Sequence, residues 1–248
     1  APVITLLGNN PMTVAHGSVF TEPGSTVTDN IDTGLVAMVT GTVDTSAVGT
    51  YVLTYDVSDV AGNPSSVTRT VHVTDQTAPV IALLGSDPMT VAHGSTYTEP
   101  GTTVSDNVDT GLEAAVLVTG TVDTTAVGTY VLTYDVSDAA GNAATSVTRT
   151  VLVTDQTAPV ITLLGNSPMT VAHGSVFSDP GSSVSDNVDI GLIATVTGAV
   201  DTNIVGAYVL TYSVSDAAGN ATTVTRTVNV TDQTAPVITL LGNEPMTV

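Results

Sequence analysis

The sequence predicts an all-β chain built as tandem antiparallel β-sandwiches arranged end to end. Three observations lead there. The block Thr74-Asp75-Gln76-Thr77-Ala78-Pro79-Val80-Ile81 returns as Thr154 to Ile161 and as Thr231 to Ile238, so the chain is a repeat. Hydrophobic residues make up 42% but charged residues only 10%, with valine and threonine dominant and no tryptophan, which is strand composition. Finally, Thr50–Ser58 alternates: Tyr51, Leu53, Tyr55 and Val57 fall on one face, Val52, Thr54, Asp56 and Ser58 on the other.

Cutting at the seams gives domains 1–77, 78–157 and 158–234, and a remnant, 235–248, that repeats the first strands of a domain. Repeats 1 and 3 align without a gap and differ at 19 of 77 positions, so one fold must serve both. Repeat 2 has two extra residues within 112–119 and one within 142–146. A unit of this size is too long for a solenoid turn and suits a small independent domain. The remnant reads as the start of a truncated fourth repeat, and the whole as an internal stretch of a longer protein.

Within one repeat, Val3–Leu7 is a short apolar strand stopped by Gly8 and the turn Asn9-Asn10-Pro11, and Met12–Val14 resumes it. Ala15-His16-Gly17-Ser18 is a turn. Val19–Thr28 is a strand interrupted by Glu22-Pro23-Gly24, where proline marks an edge or a bulge. Residues 29–34 form a loop, Leu35–Thr40 the next strand, and 41–48 a crossing segment. Thr50–Ser58 is the long alternating strand, Asp59-Val60-Ala61-Gly62-Asn63 a hairpin loop, and Val67–Thr74 the last strand. Helical periodicity is absent. About seven short strands with turns every 8–12 residues read as a sandwich. Tyr51 at the corner that opens the long strand, repeated by Tyr130 and Tyr208, occupies the tyrosine-corner position of immunoglobulin-like domains. The cysteine pair of the antibody branch is absent.

The succession of a TAPVI opening, EPG, DNxD, VDTxxVGTY, YxxSDxAGN and a TRTVxVTD close resembles the tandem immunoglobulin-like repeats of bacterial surface proteins, including hyalin-repeat-like and adhesin extender modules. The resemblance covers all three repeats. It implies a spacer or adhesive stalk on a cell surface or in an extracellular fibre, often dependent on calcium.

Charge narrows the partners. The net charge is −20, and the three basic residues are all arginine. Nucleic acid and a bare anionic membrane surface both require clustered cations and are excluded as partners. No apolar run reaches the ~18 residues of a membrane span, so no membrane insertion is expected of this segment. Zero cysteine removes disulfides and thiolate metal sites.

The acids are placed by the topology. In an immunoglobulin arrangement the loop after the second strand and the last hairpin loop lie at the end where the chain enters. Asp106, Asn107, Asp109 and Asp138 should therefore face Asp75, arriving from the preceding repeat. Asp155, Asp186, Asn187, Asp189 and Asp216 repeat the set at the second seam. At the third seam only Asp232 is present, and in repeat 1 Asp29, Asn30, Asp32 and Asp59 form the loop half of a set. One such loop alone is an ordinary turn whose side chains bond their own backbone. Two loops and a linker converging, with few internal cations, point to Ca²⁺ at the domain joints, because oxygen-only coordination by six to eight ligands is what that ion takes. Asp56 and Asp135 have the parity of the outer face and are not expected to join.

The remaining features are architectural. His16, His93 and His173 each stand alone in a turn, which makes a poor zinc site. Arg69, Arg149 and Arg226 share parity with inward valines, and Arg69 has Glu22 as a candidate partner. Asn220-Ala-Thr222 and Asn229-Val-Thr231 match glycosylation acceptors, but in repeat 3 alone. No catalytic constellation stands apart from the repeat, so an enzyme is not expected. The reading is a structural segment of a bacterial extracellular adhesin or surface filament. Its partners would be neighbouring repeats, other copies in a fibre, or a host or biofilm surface ligand. The alternative is a carbohydrate- or protein-binding module, for which an aromatic content of 4% offers little.

Overall fold

The structure is a computed structural model and describes residues 1–241. The chain divides into two compact units. The first holds residues 1–89, 98–122 and 130–151, and the second holds 90–97, 123–129 and the described residues from 152 onward. Repeat 2 thus contributes to both.

Repeat 1, in the first unit, has six strands: β1 (Val3–Leu6), β2 (Met12–Ala15), β3 (Ser25–Thr28), β4 (Met38–Thr40), β5 (Gly49–Ser58) and β6 (Pro64–Thr74). Repeat 2 follows with β7 (Val80–Leu83), β8 (Met89–Ala92), β9 (Thr102–Ser105), β10 (Leu117–Thr119), β11 (Gly128–Asp135) and β12 (Val147–Thr154). Repeat 3, in the second unit, has β13 (Val160–Leu163), β14 (Met169–Ala172), β15 (Ser182–Ser185), β16 (Thr195–Thr197), β17 (Gly206–Ser215) and β18 (Ala221–Thr231). The fold is all-β, and the one helical element described is a 3₁₀ turn at Leu112–Ala115, where repeat 2 carries its two extra residues.

In repeat 1, β1 pairs antiparallel with β3, and a four-stranded sheet runs β2-β6-β5-β4. Repeat 3 has the same plan, β13 with β15 and β14-β18-β17-β16. One pairing departs from the antiparallel expectation: β2 lies parallel to β6, with Met12 opposite Val71 and Ala15 opposite Thr74. The first apolar stretch is cut by Gly8-Asn9-Asn10-Pro11, so β1 enters the small sheet and β2 crosses to the large one. The expected strand over 19–28 forms only at 25–28, because Glu22 and Pro23 leave the ladder. The expected 35–40 strand shrinks to an exposed edge strand at 38–40, and six strands stand where seven were expected. The last strand starts earlier than expected, because β5 and β6 stay paired as far as Ser58 and Pro64. In repeat 2 the extra residue near 142–146 disrupts the equivalent hairpin end, leaving an isolated Ser137–Ala143 bridge and Ala144 N–H donating to Val136 O at 2.9 Å.

The core of repeat 1 is Ile4, Leu53, Tyr55 and Val57, with Leu6, Phe20, Val27 and Leu35 packed against it. The alternation of β5 puts Leu53, Tyr55 and Val57 inside, each Leu or Val contributing roughly 1.5–3 kcal/mol by burial. The tyrosine corner forms as expected in repeats 1 and 3: Tyr51 Oη donates to Ala47 O, and Tyr208 Oη to Ile204 O, both at 2.9 Å.

The largest fully buried side chain of repeat 1 is charged. Arg69 on β6 has 0% exposure. Its Nε donates to Tyr55 Oη at 3.0 Å and lies 3.1 Å from Glu22 Oε1. Nη1 donates to Asn9 O at 2.6 Å, and Nη2 to Leu7 O at 2.6 Å and Gly24 O at 3.2 Å. One guanidinium from the large sheet thus binds the chain just after β1 and just before β3, at one end of the small sheet. Arg226 repeats this with Tyr212 and Asp179, and Arg149 with Tyr134 and Glu99. Burial raises the Tyr55 phenol above its usual pKa, and the hydrogen bond to Glu22 adds to the rise.

Candidate metal centre

The end of β6, the loop after β9 and the loop after β11 meet in the first unit. They bring Asp75, Asp106, Asp109 and Asp138 together, each with a carboxylate oxygen within 4.8 Å of the others. Local hydrogen bonding fixes each acid. Asp106 Oδ2 accepts the N–H groups of Val108 and Asp109, both at 2.9 Å. These donors, Asp109 N–H above all, hold the Asp106 carboxyl below its ordinary pKa. Asp109 Oδ2 accepts from Ala139 N–H at 3.0 Å, tying one loop to the other. Asp138 accepts from Asn142 N–H and Nδ2, both at 2.7 Å. Asn142 Nδ2 also reaches the Asp75 carbonyl at 3.4 Å. Asp75 Oδ1 accepts from Thr77 N–H at 3.0 Å.

These bonds leave oxygens over. Asp75 Oδ2 and Asp106 Oδ1 are buried without a hydrogen-bond partner, and Asp75 as a residue is only 7% exposed. Unsatisfied buried carboxylate oxygens are costly, and like charges this close repel. Val48 from one repeat and Val108 and Ala139 from the next border the acids and reduce the water around them.

The second unit contains the same arrangement. Asp155, Asp186, Asp189 and Asp216 lie within 4.8 Å of one another, and Asp155 Oδ2 and Asp186 Oδ1 lack partners. Ala217 N–H donates to Asp189, and Asn220 holds both Asp216 and the Asp155 carbonyl. Asp186 is held low by Asp189 N–H in the same way.

Asp29, Asp32 and Asp59 form a third, smaller group. The Ala1 ammonium lies 3.9 Å from Asp29 Oδ1 and 3.8 Å from Asp59 Oδ2. Asn30 occupies the matching loop position and is exposed. Among the described residues, Asp232 is exposed, accepts from Thr234 N–H at 2.9 Å, and joins no acidic group. Residues 242–248, the rest of the expected fourth repeat, lie outside the described residues, and 235–241 form no strand. Asp56 is exposed on the outer face, away from the acids.

Sequence reasoning missed two contributors. Asn142 and Asn220 close the hairpin loops around Asp138 and Asp216, for which the DxAGN spacing was the available signal. Asn107 Nδ2 lies 3.2 Å from His16 Nδ1, and Asn187 Nδ2 lies 3.1 Å from His93 Nδ1. Those histidines belong to the preceding repeat, so no local signal could pair them.

Fold and acidic seams together define a class: tandem immunoglobulin-like repeats joined at carboxylate-lined seams. The chain belongs to the family of bacterial surface proteins described as "Bacterial surface protein, Ig-like domain", which it matches at residues 4–73, 81–153 and 161–230. It is similar to hyalin of Lytechinus variegatus, 35% identical over 241 residues, covering 88% of this chain and 44% of hyalin. It is also similar to hyalin of Strongylocentrotus purpuratus, 34% identical, covering 90% of this chain and 20% of that protein. An uncharacterised 81.3 kDa protein of Acholeplasma phage L2 is 33% identical over 197 residues, covering 74% of this chain and 26% of the phage protein. The chain thus spans less than half the length of these relatives. Among solved structures, domains 3–6 of protocadherin gammaB7 show a remote likeness, with a TM-score of 0.40 and 15% identity over 98% of this chain and 77% of that one. Domains 21–23 of human CDH23 give 0.34 and 14% over 72% and 73%. No helix among the described residues is long and apolar enough to cross a membrane.

Proposed function

We propose that this chain is a structural segment of a bacterial extracellular adhesin or surface filament, and that Ca²⁺ bound at the seams stiffens its joints. The observation that carries this reading is Asp75, repeated by Asp155. Each is 7% exposed, keeps one buried carboxylate oxygen without a partner, and sits among three further acids. A divalent cation would take up those oxygens and remove the repulsion. The donors are hard oxygens, with no sulfur and no imidazole in the group, which favours calcium over zinc. Asp75 and Asp155 come from one repeat and the other three acids from the next, so an ion binds fully only when the two are held in register. Binding and stiffening are then the same event. With free ion at about 100 times its dissociation constant, each joint gains about 2.7 kcal/mol.

The family and the absence of a flexible Gly/Ser linker at the seams support a spacer role. The test is calorimetry and small-angle scattering of the chain, with calcium and then with chelator. Heat uptake, a higher melting temperature and a larger maximum dimension with calcium are expected. No heat and identical curves in both conditions would reduce the acids to turn residues.

A further inference from the structure

We infer that His16 and His93 are positioning residues for the two cation sites, each holding the asparagine amide of the following repeat with its oxygen turned into the acid cluster. The inference rests on the calcium reading above and assigns a role to two residues that are not themselves ligands.

The hydrogen bonds fix the direction. His16 sits in the turn after β2, where its own N–H donates to Thr74 O at 2.9 Å and Gly17 N–H donates to Thr45 O at 2.7 Å, so the ring is anchored at its base. Its Nε2 lies 2.9 Å from the backbone oxygen of Ser46. A carbonyl only accepts, so Nε2 carries the proton and Nδ1 of the neutral ring is left as an acceptor. The atom that meets Nδ1, at 3.2 Å, is Asn107 Nδ2, which donates. The amide is planar, so its oxygen must face the opposite way. That side holds Asp75 Oδ1 and Asp106 Oδ2, at 3.2 and 3.3 Å.

Three oxygens facing one another with no proton between them is a poor arrangement for an empty site and a suitable one around a cation. The reversed amide would donate to both carboxylates, but its oxygen would then meet Nδ1. That orientation needs protons on both ring nitrogens, since Nε2 already donates to Ser46. A ring carrying one proton, on Nε2, therefore selects the orientation that presents oxygen to the ion. The second joint is built alike: His93 Nε2 lies 2.9 Å from Thr125 O, and Asn187 Nδ2 lies 3.1 Å from His93 Nδ1. His173 makes the same Nε2 contact, to Asn203 O at 2.9 Å. The contact also crosses the seam, from the turn of one repeat to the first acidic loop of the next, so the ligand is completed by the repeat before it.

The experiment is calcium calorimetry on the chain, stripped of divalent ions, in an Asp189→Ala background that disables the second joint. Outer partners of metal ligands commonly contribute 10–100-fold in affinity, so His16→Ala should weaken the first joint about tenfold. Asn107→Ala should do at least as much, and adding His16→Ala to it should do nothing more, since no amide is left to orient. Asn107→Asp presents oxygen whichever way it turns, and in that background His16→Ala should also be silent. His16→Gln, whose own oxygen can accept from Asn107, should recover most of the affinity. The inference is overturned if His16→Ala leaves affinity unchanged in the parent. It is equally overturned if His16→Ala weakens binding as much in the Asn107→Ala and Asn107→Asp backgrounds, because the residue then acts on the fold. If His16→Ala also melts lower in chelator, the Asn107→Asp background still decides. If the unmodified chain takes up no calcium, the functional reading fails and this one with it. If it does and His16→Ala is silent, only the positioning role falls.

Discussion

Replacing Arg69 by methionine keeps the aliphatic stem and removes the guanidinium at the centre of repeat 1. The cost can be worked from its partners. The carbonyls of Leu7 and Asn9 lose their charged donor, and Glu22 loses the cation 3.1 Å from Oε1. Gly24 O keeps the Leu7 N–H at 2.9 Å, so it is not orphaned. Breaking one partner of a buried pair costs about 3–5 kcal/mol. Glu22 Oε1 keeps the Gly24 N–H and Tyr55 O–H donors in the variant, which puts the loss near the low end, about 3 kcal/mol. A domain of this length has about 4–12 kcal/mol to lose, and the melting temperature of repeat 1 should fall by roughly 12 °C or more. Hydrogen exchange on the chain, read over residues 1–77, isolates the effect from the other two repeats. Glu22→Gln in the same chain should recover part of the loss by neutralising the stranded carboxylate. A loss below about 1 kcal/mol, or strict additivity of the two changes, would refute the view that one guanidinium fastens the two sheets.

The remaining predictions concern the seams. Asp109→Ala should abolish calcium uptake at the first joint alone and Asp189→Ala at the second alone, each removing one ion from the calorimetric stoichiometry, while Asp56→Ala removes none. Asp106 and Asp186 have carboxyls held below their ordinary pKa of 3.8, by the N–H groups of Asp109 and Asp189 first. Their contribution to stability is therefore complete above that value and lost as pH falls through their lower folded pKa values. Urea unfolding in chelator between about pH 5 and 2 should show this loss, and Asp106→Asn should reduce it; an unchanged pH slope in the variant would contradict the assignment.

What the sequence made legible was whatever has a short period or a fixed corner. Leu53, Tyr55 and Val57 alternate within one strand, and Tyr51 reaches a carbonyl four residues away. The acids were legible because an immunoglobulin topology fixes which loops share an end. The parity of Arg69 placed it inside, and Glu22 was its candidate partner, yet the carbonyls of Leu7 and Asn9 were out of view because they lie in a turn about 60 residues away. The parallel pairing of β2 with β6 was hidden for a related reason. Met12–Val14 reads as a continuation of β1, and only the competition between two sheets for one interrupted strand moves it across. The pairing of His16 with Asn107 spans 91 residues and a seam, where neither periodicity nor composition carries information.

The sign of the coupling between seam and acid follows from comparing copies within the chain. Asp75 and Asp155 are 7% exposed where a following loop covers them, whereas Asp232 is exposed. The desolvation of Asp75 and Asp155 is therefore produced by the neighbouring repeat and is not a property of the isolated fold. Covering an uncompensated carboxylate opposes docking. Covering one that binds a cation strengthens that attraction, because the surroundings are less polar than water. The same contact would thus disfavour the joint without an ion and favour it with one, a switch in sign that neutral turn residues could not supply.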